Sequence, residues 1–336
     1  MQKLKIGIIG CGSISSQRHI PSVCRNKKLK LVAICDIDNN KAMLTAKKFK
    51  IPSYYSDYKE MLEKEEIDII DIATPIQFHK QQAIDAIKLG KHVIVEKPIA
   101  ASSKDAEEMI EVAKKNKVLL SVYHTMRAYP VIQEIKRILE KKEIGNTLLL
   151  QFLTTYGELQ PWLKKQKWGA LWEIGIHRIY LALYLLGKVK KVNAESYEGQ
   201  KNFKITLFSE NGIGEIHILN SGFDFASDFL TIYGEKGKIT APSPEFNTFT
   251  KIDRKEENWL NIFKEEIFNN IKLSSAIAKR GFEYITSGSK ILPHYLILDN
   301  FVNATLHHER LLIPPEEGLE ALKILEKVES ILDKSG

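Results

Sequence analysis

Between Leu4 and Val122 the chain alternates short apolar runs with amphipathic segments, and that rhythm leaves few folds open to it. Leu4–Ile9 (LKIGII), Leu29–Cys35 (LKLVAIC), Ile67–Ala73 (IDIIDIA), His92–Val95 and Val118–Val122 read as strands. Helical spacing fills the intervals: Ile14–Cys24, Asn39–Phe49, His79–Leu89 with Gly90 past its end, and a segment from Ser102 to Lys115 whose start offers a capping box with Asp105. Strands that are apolar throughout, separated by amphipathic helices, imply a parallel sheet covered on both faces. At 336 residues the length fits two domains, which we place at 1–122 and 123–336.

The first strand runs into Gly10-Cys11-Gly12-Ser13-Ile14-Ser15 and then a helix. In that context the first glycine permits a tight turn. The second lets a pyrophosphate approach the backbone, and the helix N-terminus presents amide groups to it. Gly10, Gly12, Ser13 and Ile14 are therefore candidate dinucleotide contacts. Ser15 stands where a third glycine or alanine is usual, and is still small. Asp36 ends the second strand, where a carboxylate accepts from a ribose and repels a 2′-phosphate. No arginine follows it immediately, which favours NAD over NADP. Capping of the next helix is the alternative role for Asp36 or Asp38. Thr74, Pro75 and His79 follow the next strand at the same sheet edge, where open α/β sheets bind ligands; His79 is equally a plain first-turn helix residue. Glu96-Lys97-Pro98 ends VIVEKP, and only that position at a strand's carboxyl end distinguishes Lys97 from the other lysines.

After Val122 the pattern changes. SVYHTMRAYP bridges the halves and holds Tyr123, His124 and Arg127; a helix is expected over Pro130–Glu140. Alternating segments come next at Thr147–Thr155, Val189–Glu198, Phe203–Ser209, Ile213–Leu219, Phe229–Tyr233 and Lys238–Ala241, with hairpin-like connections at Asn211-Gly212 and Gly234–Gly237. They predict an antiparallel sheet with one face on helices. Gly169–Gly187 reads as one helix on which Glu173 and His177, four apart, share a face. Such a pair is by itself more often structural than chemical. The loop Tyr156–Trp168, with three aromatics and three lysines, either covers a site or packs as surface. Helices dominate from Glu256 onward, including Pro293–Leu306 and Pro315–Leu332.

Composition excludes several classes. The net charge is +7, but the lysines are interleaved with glutamates, as in KEMLEKEE, and no zinc spacing or aromatic-basic motif accompanies them. A solvated surface, not a nucleic-acid partner, is expected; a mildly positive site for an anionic substrate is compatible. Cys11, Cys24 and Cys35 have no metal-ligand or CxxC spacing, so no metal and a reduced, cytoplasmic compartment are expected. No apolar run reaches the ~20 residues of a membrane span, and MQKLKIGIIG lacks a signal-peptide pattern.

With GCGSIS, the TPxxxH run at Thr74–His79, LGKHVIVEKPIA and WEIGIH in hand, the chain resembles the Gfo/Idh/MocA oxidoreductases, a family that includes glucose–fructose oxidoreductase and inositol dehydrogenase. The resemblance spans essentially the whole chain. It implies an N-terminal Rossmann doubly wound sheet, a C-terminal α+β domain with an open, mostly antiparallel sheet, and hydride transfer between NAD(P) and a hydroxyl or carbonyl of a sugar, cyclitol or nucleotide sugar. It implies catalytic roles for Lys97, for His177 as general base, and for Glu173. It places Lys97 beside the nicotinamide ribose, with Glu96 either orienting Lys97 or bonding the nicotinamide-ribose region, and Tyr123, Arg127, Lys97, Glu173 and His177 near substrate. It also implies a homodimer or homotetramer sharing the open sheet. The chain departs from the family's GGxLxDxGxHxxD pattern at Ala170, at Glu173 in place of aspartate and at Tyr180 in place of a second acid, which bears on substrate identity. A non-catalytic dinucleotide- or sugar-sensing regulator is the alternative; retention of Lys97 and His177 argues against it.

Overall fold

The computed structural model describes residues 3–159, 167–197, 201–221, 228–241, 250–253 and 292–335. The chain divides into two compact units, Met1–Thr125 with Gly288–Leu322, and Met126–Ser287 with Lys323–Gly336.

In the first unit six strands form one sheet in the order β3-β2-β1-β4-β5-β6. They are β1 (Leu4–Ile9), β2 (Leu29–Cys35), β3 (Ser53–Tyr55), β4 (Ile69–Ile72), β5 (His92–Val95) and β6 (Leu120–Val122). All pairings are parallel. The order reverses between β1 and β4, the switch point at which doubly wound sheets bind dinucleotides. Ile6, Ile8, Ile34, Ile69, Ile70, Ile72, Val93 and Ile94 are fully buried, as strands covered on both faces must be. Around them lie α1 (Ile20–Arg25), α2 (Asn39–Phe49), α3 (Tyr58–Lys64), α4 (His79–Lys88) and α5 (Ser103–Asn116). Asp38 and Ser102 cap α2 and α5 by accepting from the amides of Lys41 and Asp105.

The expected strands and helices of this half recur within a few residues, but two elements have no counterpart in the sequence pattern. β3 has three residues, too few to display an alternation, and is held by pairing with β2. α3 follows it at once, capped by Asp57, which accepts from the Lys59 amide.

The sequence boundary at 122/123 makes both pieces contiguous; the structure instead returns Gly288–Leu322 to the first unit. Here α8 (Leu292–His307) packs on α1, with Asn26 donating to Asp299 at 3.0 Å and Lys28 to Asn303 at 2.6 Å. Ser121 then donates to the Ile313 carbonyl at 2.8 Å.

The second unit has α6 (Pro130–Glu140) and a seven-stranded sheet in the order β13-β12-β11-β7-β10-β9-β8. Its strands are β7 (Thr147–Tyr156), β8 (Val189–Tyr197), β9 (Asn202–Ser209), β10 (Gly212–Asn220), β11 (Asp228–Gly234), β12 (Gly237–Ala241) and β13 (Thr250–Asp253). Among the described residues only β7 and β10 run parallel; every other pairing is antiparallel. The sheet is thus mixed and mostly antiparallel, with both expected hairpins present. The alternation Phe203-Ile205-Leu207 points inward and is buried. The short edge strand β13 was not legible in the sequence.

Between β7 and β8 runs a continuous helical stretch, a π-helical turn at Leu171–Gly175 followed by α7 (Ile176–Leu186). It lies on the inner face of the sheet. A Cβ on Gly175 would stand 2.7 Å from the Leu171 side chain and 3.3 Å from that of Ile218 on β10, so any side chain here requires Leu171 to shift. The last helix, α9, spans Pro315–Ser335. Most of the expected loop Tyr156–Trp168, and the helices expected between Glu256 and residue 291, lie outside the described residues.

Candidate functional site

Because every strand of the first sheet is parallel, the turns after β1, β2, β4 and β5 all leave from one edge. After β1, Gly10 has φ +104°, and a Cβ there would lie 2.4 Å from the Ala73 carbonyl oxygen after β4. The residue is therefore obligatorily glycine. A Cβ on Gly12, by contrast, would meet nothing within 4 Å. The turn is open on that side, as close approach of a pyrophosphate requires. Ser13 and Ile14 are exposed on the first helical turn after it, while Ser15, in the third glycine position, is fully buried.

Asp36 faces this turn. Its Oδ2 accepts from the Cys11 amide at 2.8 Å and its Oδ1 from the Asp38 amide at 3.1 Å. Lys41 lies 3.3 Å from it. Capping of α2 falls to Asp38, not to Asp36. The residues present fit an adenosine dinucleotide: an open glycine turn, a helix start with its amides directed at the turn, and a carboxylate fixed at the end of β2.

After β4, Thr74 donates to Gln82 at 2.6 Å and Pro75 is exposed. His79 is buried, with Nε2 at 2.8 Å from the Thr74 carbonyl and Nδ1 at 3.0 Å from that of Pro98. Burial pushes its pKa down, so the neutral ring donates to one carbonyl at a time. His79 thereby ties the turn after β4 to the turn after β5, and its ring is occupied by the main chain.

After β5 come Glu96 and Lys97. Glu96 is nearly buried and accepts from the Lys97 amide through Oε2 at 3.0 Å. The Lys97–Pro98 peptide is cis. Lys97 is half-buried and springs from the strand edge that carries the glycine turn. Behind Glu96, the ring of His19 stands between two carboxylates, those of Glu96 and Asp71. Tyr123 is fully buried and donates to Asp71 at 3.2 Å, so this expected substrate contact is an interior residue.

In the second unit the ring of His177 has Nδ1 2.9 Å from the Tyr180 hydroxyl, which also accepts from the Met126 amide at 3.1 Å. The contact fixes the plane of the imidazole ring, whichever of the two groups donates. Tyr180, where an acid was expected, thus orients the histidine. The next residue anchors the helix: buried Arg178 donates to Thr154 at 2.8 Å and pairs with Asp228, to which Thr154 also donates. Glu173 is half-buried and lies inside the π-helical turn, where α-helical i,i+4 spacing does not carry over. Arg127 is buried, its guanidinium 4.0 Å over the Tyr184 ring.

His19, Asp71, His294 and Tyr180 were not among the site residues expected from sequence. One signal was present: Asp71 lies inside IDIIDIA, and an acid in a strand buried on both faces requires a partner.

Comparison with known proteins places these features. Residues 4–124 match the model of the oxidoreductase family with NAD-binding Rossmann fold, and residues 132–240 that of the Gfo/Idh/MocA C-terminal domain. D-glucoside 3-dehydrogenase of Escherichia coli is 31% identical over 208 residues, 58% of each chain. The NADP-dependent scyllo-inositol 2-dehydrogenase of Bacillus subtilis is 29% identical over 70% of this chain and 75% of its own. Among solved structures, the WlbA dehydrogenase of Bordetella pertussis in complex with NADH and UDP-GlcNAcA superimposes with a TM-score of 0.79 at 21% identity. That match covers 100% of this chain and 98% of the other.

Proposed function

The chain belongs to the Gfo/Idh/MocA oxidoreductase family, and on that premise we propose that it is an NAD-dependent dehydrogenase of a secondary hydroxyl on a sugar, cyclitol or nucleotide sugar. The observation that carries the reading is the shared sheet edge: the open glycine turn, Asp36 and Lys97 all leave it, around the β1/β4 switch point. When bound, the nicotinamide supplies the hydride acceptor. The substrate hydroxyl loses its proton to the imidazole of His177, the general base, whose ring is oriented by the Tyr180 hydroxyl. The Lys97 ammonium stabilises the alkoxide-like oxygen as the carbon gives up its hydride and becomes a carbonyl. Glu173 and Arg127 contribute to substrate recognition. Asp36 favours NAD, since its carboxylate repels a 2′-phosphate. D-Glucoside and scyllo-inositol dehydrogenases among the relatives support the substrate class. No described helix is long and apolar enough to cross a membrane, and we take the protein to work in the cytoplasm.

The test is NAD reduction, read by absorbance of the reduced nicotinamide, across a panel of myo-inositol, scyllo-inositol, D-glucose, a methyl glucoside and UDP-sugars. Turnover of at least one member is expected, with Lys97→Ala lowering kcat by about 10²–10³-fold while NADH binding persists. Near-normal kcat in that variant overturns the role of Lys97. Tight NADH binding with no turnover of any member would point to sensing instead.

A further inference from the structure

A knot of buried ionisable side chains lies in the first unit, directly behind the strand end that carries Lys97. His19 closes a π-helical turn, Ser15–His19, that comes straight after the glycine turn. Its Nδ1 is 2.9 Å from both carboxylate oxygens of Asp71, and its Nε2 is 2.8 Å from Oε1 of Glu96. Neither His19 nor Asp71 is exposed. The other groups facing this ring are Tyr123, edge-on at 4.6 Å and bonded to Asp71, and His294 of α8 at 5.3 Å. His294 Nε2 also lies 3.5 Å from Glu96 Oε1, and the Arg18 charge acts on His294 as well.

A histidine with a carboxylate on each ring nitrogen donates from both, which only the imidazolium can do. One buried cation between two buried anions satisfies all three, whereas loss of the centre would leave like charges facing each other. The remaining oxygen of Glu96 then accepts from the Lys97 amide at 3.0 Å. With Oε1 held by His19, the plane of the carboxylate is set and Oε2 is carried to that amide.

We propose that His19 is the positioning residue of this site: donating to Asp71 and Glu96 at once, it sets the Glu96 carboxylate, which captures the Lys97 amide and fixes the main chain from which the Lys97 side chain is aimed. The inference rests on the dehydrogenase reading for the purpose of that aim, but not for the contacts themselves. It also joins two jobs, since His19 sits on the helix whose start faces the cofactor turn. A metal is the competing occupant, as one ligand atom each from His19, Glu96 and His294 lie within 4.8 Å of one another. Ligands on a tetrahedral zinc stand about 3.3 Å apart for bonds of about 2.0–2.1 Å. The 2.8 Å between His19 and Glu96 is the length of a charge-assisted hydrogen bond instead.

The test compares His19→Gln with His19→Asn in the full-length protein. A glutamine amide reaches the place of Nε2 and still donates to Glu96; an asparagine amide reaches only the place of Nδ1 and Asp71. In wild type, ¹⁵N-histidine spectra are expected to show one ring with both nitrogens protonated well above the ordinary histidine pKa of about 6.5, absent from both variants. Amide exchange at Lys97 should speed about tenfold in His19→Asn, as loss of one hydrogen bond predicts, and much less in His19→Gln. With the panel substrate of highest turnover, kcat should fall on the order of 10²-fold in His19→Asn and be largely retained in His19→Gln, NADH affinity being alike in both. A ring that titrates at about pH 6.5, equal exchange and kcat losses in the two variants, or stoichiometric zinc abolished by His294→Ala would each overturn the proposal. Exchange and ring spectra need no substrate, so failure of the dehydrogenase reading shows separately, as absent wild-type turnover.

Discussion

His19 and Asp36 are the residues whose surroundings say most about behaviour in solution. Burial alone would lower the His19 pKa, but Asp71 and Glu96 together raise it to about 10. Burial would likewise raise the Glu96 carboxyl, but hydrogen bonds from His19 and His294 hold it well below the usual range. Linkage fixes the signs. His19 contributes stability that is complete below its unfolded value of 6.5 and lost as pH climbs towards about 10; Glu96 contributes stability present above 4.5 and lost on acidification. The thermal stability of wild type should therefore fall between pH 6.5 and about 10 more steeply than that of His19→Gln, read as melting temperature against pH. At Asp36, substitution by alanine removes the carboxylate and leaves Lys41, now 3.3 Å from it, without that partner. Asp36→Ala should raise the dissociation constant for NAD about tenfold, the worth of one charge-assisted contact, and narrow its advantage over NADP. Equilibrium titration with both nucleotides checks this, and an unchanged preference would remove the ribose role.

At the scale of elements, both helices that carry proposed site residues begin with a π-helical turn, Ser15–His19 and Leu171–Gly175. Such a turn admits one extra residue and re-aims the helix beyond it, which is how His19 and His177 come to stand where they do. Gly175 closes the second of these against β10. Gly175→Val should overpack Leu171 and Ile218 and cost about 1–3 kcal/mol, measurable by urea unfolding. The same features mark the limit of sequence reading. β1, β2, α2, β5 and α6 were legible to the residue, since period and caps are local properties. The placement of the glycine turn, Asp36 and Lys97 after strands, and of His177 on a helix, was legible for the same reason. A π-helical turn breaks the 3.6-residue period without leaving a residue signature. The partners of Asp71 and Glu96 were equally hidden: His19 is 52 and 77 residues away from them, and no local pattern links such distant positions.

At the scale of the molecule, the seven-stranded sheet has one face under α7 and another that is half-exposed and partly apolar. Leu153, Phe229, Tyr233 and Ile213 stand on it at 40%, 43%, 40% and 39% exposure, and Leu153 pairs directly with Phe229. Alternating polar neighbours, Gln151, Glu215 and Lys204, complete a surface suited to a second copy of the same sheet. A homo-oligomer sharing the open sheet, as the family resemblance implies, would meet through this face. Leu153→Asp with Phe229→Asp should shift the mass seen by light scattering to that of one chain while leaving the melting temperature within a few degrees. An unchanged mass, or a wild type that is already monomeric, would refute the assignment.

The return of Gly288–Leu322 to the first unit has a consequence for biogenesis. The nucleotide-binding sheet leaves the ribosome complete by Val122, yet the strip that covers α1 and supplies His294 is made only after most of the second unit. At about 5–20 residues per second, the nascent half waits on the order of ten seconds or more with that side of α1 bare. A fragment ending at Thr125 would carry the same bare side permanently.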